Sequence, residues 1–243
     1  MTAIVLALAS ASATAQTAPD EAEQRLRADW AWLARYQSAN AALPAVSGEP
    51  RVVLMGDSIT EFWQQQMPEF FDAGHLDRSI SGQTTPQMLL RFRQDVIDLH
   101  PAVVQIMAGT NDIAGNTGPM TAKQTEANIR TMTELAQAHG IRVILASIPP
   151  AAAFPWRPEI APTDTIRSIN AWLRRYAAET GSVYADYWSA LEDGKGGFRE
   201  GRSSDGVHPN RAGYAVMAPI ARKAIAEALA RPAPIPLPIA ARR

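Results

Sequence analysis

The sequence predicts an α/β protein built on a parallel sheet with helices on both faces. Three observations lead there. Short apolar runs of strand length alternate with longer segments of helical period. The runs end in glycine, serine or proline, the residues that break regular structure. Every connection between runs is long enough for the crossover that parallel strands require.

The elements come in this order. Asp20 to Asn40 has few breakers and sets Leu26, Trp30 and Leu33 at helical spacing, which predicts an amphipathic helix packed on the main domain. Leu43-Pro44 to Glu49-Pro50 reads as a loop. Arg51 to Met55, ending at Gly56, has the pattern of a buried strand, and His75 to Ile80 is a less apolar one ending at Ser81-Gly82. Ala102 to Ala108 ends at Gly109, Ile141 to Ala146 ends near Pro149-Pro150, and Ser182 to Asp186 is a short fifth strand. Between them, Thr85-Pro86 reads as an N-cap with proline in the first turn, followed by Leu89, Phe92, Val96 and Leu99 along one face. Thr121 to His139 carries Ile129, Met132 and Leu135 and stops at Gly140. Pro162 opens a helix with Ile166, Ile169, Leu173 and Tyr176 in a stripe. Asn210 to Ala230 is the last helix, and Pro219 inside it predicts a kink or a split. No internal repeat is present.

At about 150 residues per domain, 243 residues allow one or two domains, and expendable ends favour one. Hydrophobic residues make up 47% and charged residues 19%, enough apolar material for a large core. Lys plus Arg number 23 against 24 Asp plus Glu, a net charge of -1, so the chain lacks the basic field that holds nucleic acid. The absence of cysteine excludes disulfide frameworks, thiol catalysis and cysteine zinc sites.

The ends have their own character. The apolar run Ala3 to Ala9 and the small-x-small site Ala13-Thr14-Ala15 resemble a signal peptide over residues 1–15, although no basic residue precedes the run. The expectation is export, to a periplasm or beyond; the alternative is an Ala-rich tail. The run is far shorter than the roughly 20 residues that span a bilayer, so no transmembrane segment is expected. Residues 16–50 then form the N-terminal helix and linker, and 51–230 the main domain. Residues 231–243, with prolines at 232, 234, 236 and 238, are expected to be an extended, solvated tail.

In a parallel sheet, ligands bind beyond the carboxyl ends of the strands. There the chain places Gly56-Asp57-Ser58-Ile59-Thr60, then Ser81-Gly82-Gln83-Thr84-Thr85, then Gly109-Thr110-Asn111-Asp112. A loop with Phe154, Pro155, Trp156 and Arg157 comes next, and finally Asp205-Gly206-Val207-His208-Pro209. One sheet edge thus gathers a nucleophile, backbone donors, a carboxamide and an Asp/His pair.

These blocks resemble those of the SGNH, or GDSL-type, serine esterases. Gly56-Asp57-Ser58 matches the nucleophile block, with Ile59 where the family name has leucine. Gly82, Gly109-Thr110-Asn111-Asp112 and Asp205-Gly206-Val207-His208-Pro209 match the three later blocks, in order, across 51–230. The resemblance implies a three-layer flavodoxin-like fold, with a five-stranded parallel sheet, and carboxylic ester hydrolysis through an acyl-serine.

The residues suit this reading on chemical grounds, each beside a plainer role. Ser58 is the expected nucleophile, or else a helix cap. His208 is the expected base among four histidines: His139 sits in a helix's last turn, and His75 and His100 precede strands. Its plainer role is a surface turn residue. Asp205, three residues earlier, is expected to orient the ring, or to serve only an Asp-Gly turn, with Asp186 as competitor. Asp57 and Asp112 read as braces for loop N–H groups. The Ser58 and Gly82 N–H groups and the Asn111 amide would form an oxyanion hole, Gly82 and Asn111 having loop-building roles as alternatives. Phe154, Trp156 and Arg157 either line a substrate pocket or pack a lid loop.

No metal or organic cofactor is implied, since Walker A, His-Glu-x-x-His and dinucleotide fingerprints are all missing. The expected partner is a small-molecule ester with a short acyl group, acetyl by resemblance, with acetylated carbohydrate among the candidates. Rivals are an acyltransferase with the same triad acting on a sugar hydroxyl, a lysophospholipase-like lipid esterase, and a non-catalytic binding module.

Overall fold

The computed structural model describes residues 21–46, 48–71 and 74–237. The expected signal peptide and the tail beyond 237 lie outside the described residues.

Five strands form one parallel sheet in the order β2-β1-β3-β4-β5. They are β1 (Val52–Gly56), β2 (His75–Ser79), β3 (Val103–Met107), β4 (Arg142–Ala146) and β5 (Val183–Ala185). This is the flavodoxin-like order, with the sequence-predicted strands in place. The helices are α1 (Glu21–Ala28), α2 (Gln37–Ala41), α3 (Ser58–Gln66), α4 (Thr85–Asp95), α5 (Thr110–Ile113), α6 (Ala122–Ala138), α7 (Thr163–Glu179), α8 (Tyr187–Leu191) and α9 (Arg211–Ala230).

Strand alternation divides the core in two. Val53, Met55, Val104, Ile106, Val143 and Leu145 face α4, α6 and α7, where they meet Phe92, Met132 and Leu173. Val52, Leu54, Val103, Met107 and Ile144 face the other way, against Trp63 of α3, Tyr187 of α8 and Met217 of α9. Both sheet faces are therefore buried, which is why the strands read as nearly unbroken apolar runs. The three layers leave only the strand ends open for a site.

Three expectations change and a fourth is refined. The segment 20–40 is not one helix. Asp29 accepts the N–H groups of Leu33 (2.7 Å) and Ala34 (2.9 Å), starting a new turn, and Trp32 takes a left-handed φ of 53°. Leu26, Trp30 and Leu33 remain 38–41% exposed, while Ala31 and Tyr36 are buried instead. The N-cap of α4 is Thr84 rather than Thr85, with Gln87 Oε1 accepting the Thr84 N–H at 3.0 Å. Pro219 does not split α9, which runs from Arg211 to Ala230. Burial of Met217, Ala221, Ala224 and Ile225 holds it together across the missing donor. The tail through 237 is extended and mostly exposed, as expected, but it is tied to the body rather than unattached. Arg142 Nε donates to the Arg231 carbonyl (2.8 Å) and Leu237 N–H to the Ala138 carbonyl (2.9 Å), laying the segment across the amino ends of the strands.

Candidate active site

Beyond the carboxyl end of β1 the chain turns at once into α3. Asp57 caps that helix, its Oδ1 accepting the Ile59 N–H at 2.9 Å, so the neighbouring Ser58 hydroxyl is not needed as a cap. Gly56 permits the turn: a Cβ there would sit 2.2 Å from Thr60 Oγ1 and 2.8 Å from Thr60 Cβ.

Ser58 Oγ lies 2.9 Å from His208 Nε2, although 150 residues separate them in sequence. His208 Nδ1 lies 2.6 Å from Asp205 Oδ2, and Asp205 Oδ1 accepts the N–H groups of Val207 (2.9 Å) and His208 (2.8 Å). Partial burial works against the Asp205 charge, but the His208 ring and these two N–H groups outweigh it and hold its carboxyl down at about 2. An ionised carboxylate only accepts, so Nδ1 carries the ring proton of neutral His208 and Nε2 is left to accept from Ser58. Asp186 stands elsewhere, paired with Arg174 and capping α8 through the Ser189 N–H at 3.0 Å.

Gly82 has a φ of +76°, and no atom lies within 4 Å of where a Cβ would project, so the loop meets open space there. Asn111 is buried. Its Nδ2 reaches the Gln83 carbonyl (3.1 Å) and Asp57 Oδ2 (3.3 Å), and its Oδ1 accepts from Asn116 Nδ2 at 2.7 Å. Burial pushes the Asp57 carboxyl up to about 6; the Ile59 N–H pulls it down and the Asp112 charge raises it further. Burial also raises Asp112, which accepts the Thr85 N–H and hydroxyl and the Thr125 hydroxyl. Both aspartates brace loops.

Of the three residues expected beside the site, Phe154 is fully buried and touches no solvent. It supports Trp156, whose ring stacks on it at 5.1 Å. Trp156 is 41% exposed, lies 6.5 Å from the His208 ring and donates its indole N–H to Asn116 Oδ1 at 3.1 Å. Arg157 faces a separate cavity toward Asp112 and Gly115.

Sequence reasoning missed several neighbours. Phe62 packs its ring 4.9 Å from His208, and its position four residues after Ser58, one helical turn on, is the signal that marks it. Asn116 ties Asn111 to Trp156. Gln83 and the fully buried Arg91 brace the loop from below: Arg91 Nε donates to Gln83 Oε1 at 2.6 Å, and Gln83 Nε2 donates to the Ala31 carbonyl at 2.7 Å. Among the described residues, no group of three or more His, Asp or Glu side chains is placed to hold a metal ion.

A family model described as GDSL-like Lipase/Acylhydrolase matches residues 54–216. The chain belongs to this GDSL-like lipase/acylhydrolase family. Among relatives, Esterase TesA of Pseudomonas aeruginosa is 28% identical over 178 residues, 71% of this chain and 82% of that protein. A GDSL-like lipase of Bacteroides thetaiotaomicron is 44% identical, with a TM-score of 0.80 over 82% of this chain and all of that one (100%). An acetylxylan esterase of Geobacillus stearothermophilus shares the fold at 22% identity and a TM-score of 0.57, over 77% of this chain and 99% of that one. Membership places this GDSL-like chain among the ester hydrolases. Among its described residues, no helix is long and apolar enough to cross a membrane.

Proposed function

We propose that the protein cleaves short-chain carboxylic esters, acetyl esters first among them, through an acyl intermediate on Ser58. The observation that carries this is the continuous line Ser58 Oγ, His208 Nε2, His208 Nδ1, Asp205 Oδ2, with separations of 2.9 and 2.6 Å.

That line sets the mechanism. His208 Nε2 takes the hydroxyl proton as Ser58 Oγ attacks the ester carbonyl carbon. The imidazolium that forms is stabilised by the Asp205 carboxylate, which stays ionised throughout. The oxyanion meets the N–H groups of Ser58 and Gly82 and the Asn111 amide, whose Nδ2–H turns from the Gln83 carbonyl or Asp57. As the carbon–oxygen bond to the alcohol breaks, Nε2–H protonates the leaving oxygen. Water then gives its proton to Nε2 and attacks the acyl carbon. Ser58 leaves with the proton returned from His208, and the acid is released.

A short acyl group is supported by the surroundings. The cavity beside Gly82 is only about 240 Å³, and its walls are mixed, with Ser81, Gln83, Gln87, Asn116 and Thr117 alongside Leu26 and Ile80, so its size leaves little room for a long alkyl chain. The likeness in fold to an acetylxylan esterase is in keeping with an acetylated carbohydrate as substrate. The division into a signal peptide at 1–15, a leading segment, a hydrolase domain at 51–230 and a tail belongs to the same proposal, as does export.

The test is a substrate panel of acetylated sugars, phospholipids and p-nitrophenyl esters of rising chain length, with a sugar acceptor added to expose acyl transfer. Turnover is expected to fall with chain length and to vanish in Ser58→Ala. A folded Ser58→Ala protein that retains much of the activity refutes the acyl-serine. Dominant transfer to the acceptor replaces hydrolysis with acyl transfer.

A further inference from the structure

We infer that the cavity beside Gly82 is a subsite for a carboxylate carried by the ester substrate, and that Arg25 is its recognition residue. The inference rests on the esterase reading above and adds a substrate class to it.

The cavity has three walls: Ser81 and Gly82 of the loop after β2, Asn116 and Thr117 of the loop after α5, and Arg25 and Leu26 of α1. It adjoins the proposed oxyanion hole. Gly82 belongs to both, and Asn116 Nδ2 reaches the Gly82 carbonyl (3.4 Å) as well as Asn111 Oδ1 (2.7 Å). A group bound there sits next to the reacting carbonyl.

The third wall is fastened in place. Gln87 Nε2 donates to the Trp30 carbonyl and Gln83 Nε2 to the Ala31 carbonyl, each at 2.7 Å, while the Tyr36 hydroxyl donates to the Ser79 carbonyl at 2.5 Å. The segment after α1 is thus tied to the loop after β2 and to α4. It lies outside residues 54–216, the part matched by the family.

The charges around the cavity leave one group uncommitted. The Arg25 guanidinium lies 4.2 Å from the Trp32 ring centroid, within cation–π range, and makes no ion pair with any described residue. The nearby Glu61 carboxylate is occupied by the Ser81 N–H (2.7 Å) and hydroxyl (2.5 Å) and by Arg35 at 3.3 Å. Asp29 is occupied by the N–H groups of Leu33 and Ala34. Thr117 Oγ1 is paired with Thr84 Oγ1 at 3.0 Å. What remains for a ligand is a half-buried guanidinium beside the Trp32 ring with its donors free, and a planar fork of donors fits a carboxylate.

The carboxylate can belong to the acyl half or to the alcohol half, so the test has two arms. In one, p-nitrophenyl hydrogen succinate is compared with p-nitrophenyl butyrate. In the other, an acetylated methyl glucuronide is compared with the matching acetylated methyl glucoside. One of the two charged esters is expected to have the higher kcat/KM, roughly fivefold to tenfold above its neutral partner. That ratio should collapse toward one in Arg25→Gln and return in part in Arg25→Lys. A purely structural role for Arg25 moves both members of a pair together and leaves the ratio where it was. No preference in either arm, or a preference that survives Arg25→Gln, overturns the inference. Failure to hydrolyse any ester refutes the esterase reading instead. For that case, NMR titration of the folded protein with succinate and with glucuronate reads the subsite directly. Binding weakened by Arg25→Gln supports it, and no binding overturns it.

Discussion

Asp57 carries a consequence for stability that can be worked out from its surroundings. It is fully buried, and burial is the largest influence on it, lifting its carboxyl from the ordinary value of 3.8 to about 6. The folded protein therefore binds this proton more readily than the unfolded chain does. The stabilising contribution is fully present below about pH 4 and is lost as pH rises through about 6. Two pH units correspond to about 3 kcal/mol. Asp57→Asn removes the titration and retains an oxygen to cap the Ile59 N–H. It also turns a donor toward Asn111 Nδ2, now 3.3 Å from Asp57 Oδ2, a penalty that does not vary with pH. Asp77, similarly buried and similarly raised to about 6, is present in both proteins and cancels in the difference. Urea unfolding of wild type and variant from pH 4 to pH 8 reads the effect. The wild type should lose about 3 kcal/mol relative to Asp57→Asn across that range. A difference that stays flat with pH refutes the claim that burial raises Asp57.

Two further substitutions probe the proposed oxyanion hole and the loop that supports it. Asn111→Ala should lower kcat roughly a hundredfold to a thousandfold with little change in KM, because the oxyanion exists only on the way to and from the tetrahedral intermediate; single-turnover kinetics check this, and a tenfold rise in KM with kcat intact assigns Asn111 to ground-state binding. Gln83→Met should cost about 3 kcal/mol in urea unfolding, since the Arg91 Nε–H and the Ala31 carbonyl lose their partner, and should depress kcat more than KM; unchanged stability refutes the bracing role of Gln83.

Much of the fold was legible because its signals are local. Buried parallel strands must be apolar on both faces, so Val52 to Gly56 and Val103 to Met107 stand out as runs, and Gly140 with its φ of +76° marks a helix end. The blocks around Ser58, Gly82, Asn111 and His208 were legible for a related reason: in a parallel sheet, the loops after the strands all lie on one edge. The leading segment misled because helical spacing is shared by a true amphipathic helix and by residues that meet no partner. Leu26, Trp30 and Leu33 have that spacing, yet Asp29 and Trp32 break the helix and leave all three partly exposed.

Sequence by itself thus determined the class of fold, the edge on which chemistry gathers and the residue types brought there, since strand period and turn composition are properties of neighbouring residues. Only the tertiary structure decided between Asp205 and Asp186 as the carboxylate beside His208, buried Phe154 beneath Trp156, and set Gln83, Arg91 and Asn116 around the loop after β2 and Asn111. These outcomes rest on distances between residues far apart in the chain. Arg91, eight residues from Gln83 and 35 from Gly56, contacts both at the centre of the fold. Such pairings arise when burial leaves each polar group to find a partner, whatever the separation along the chain.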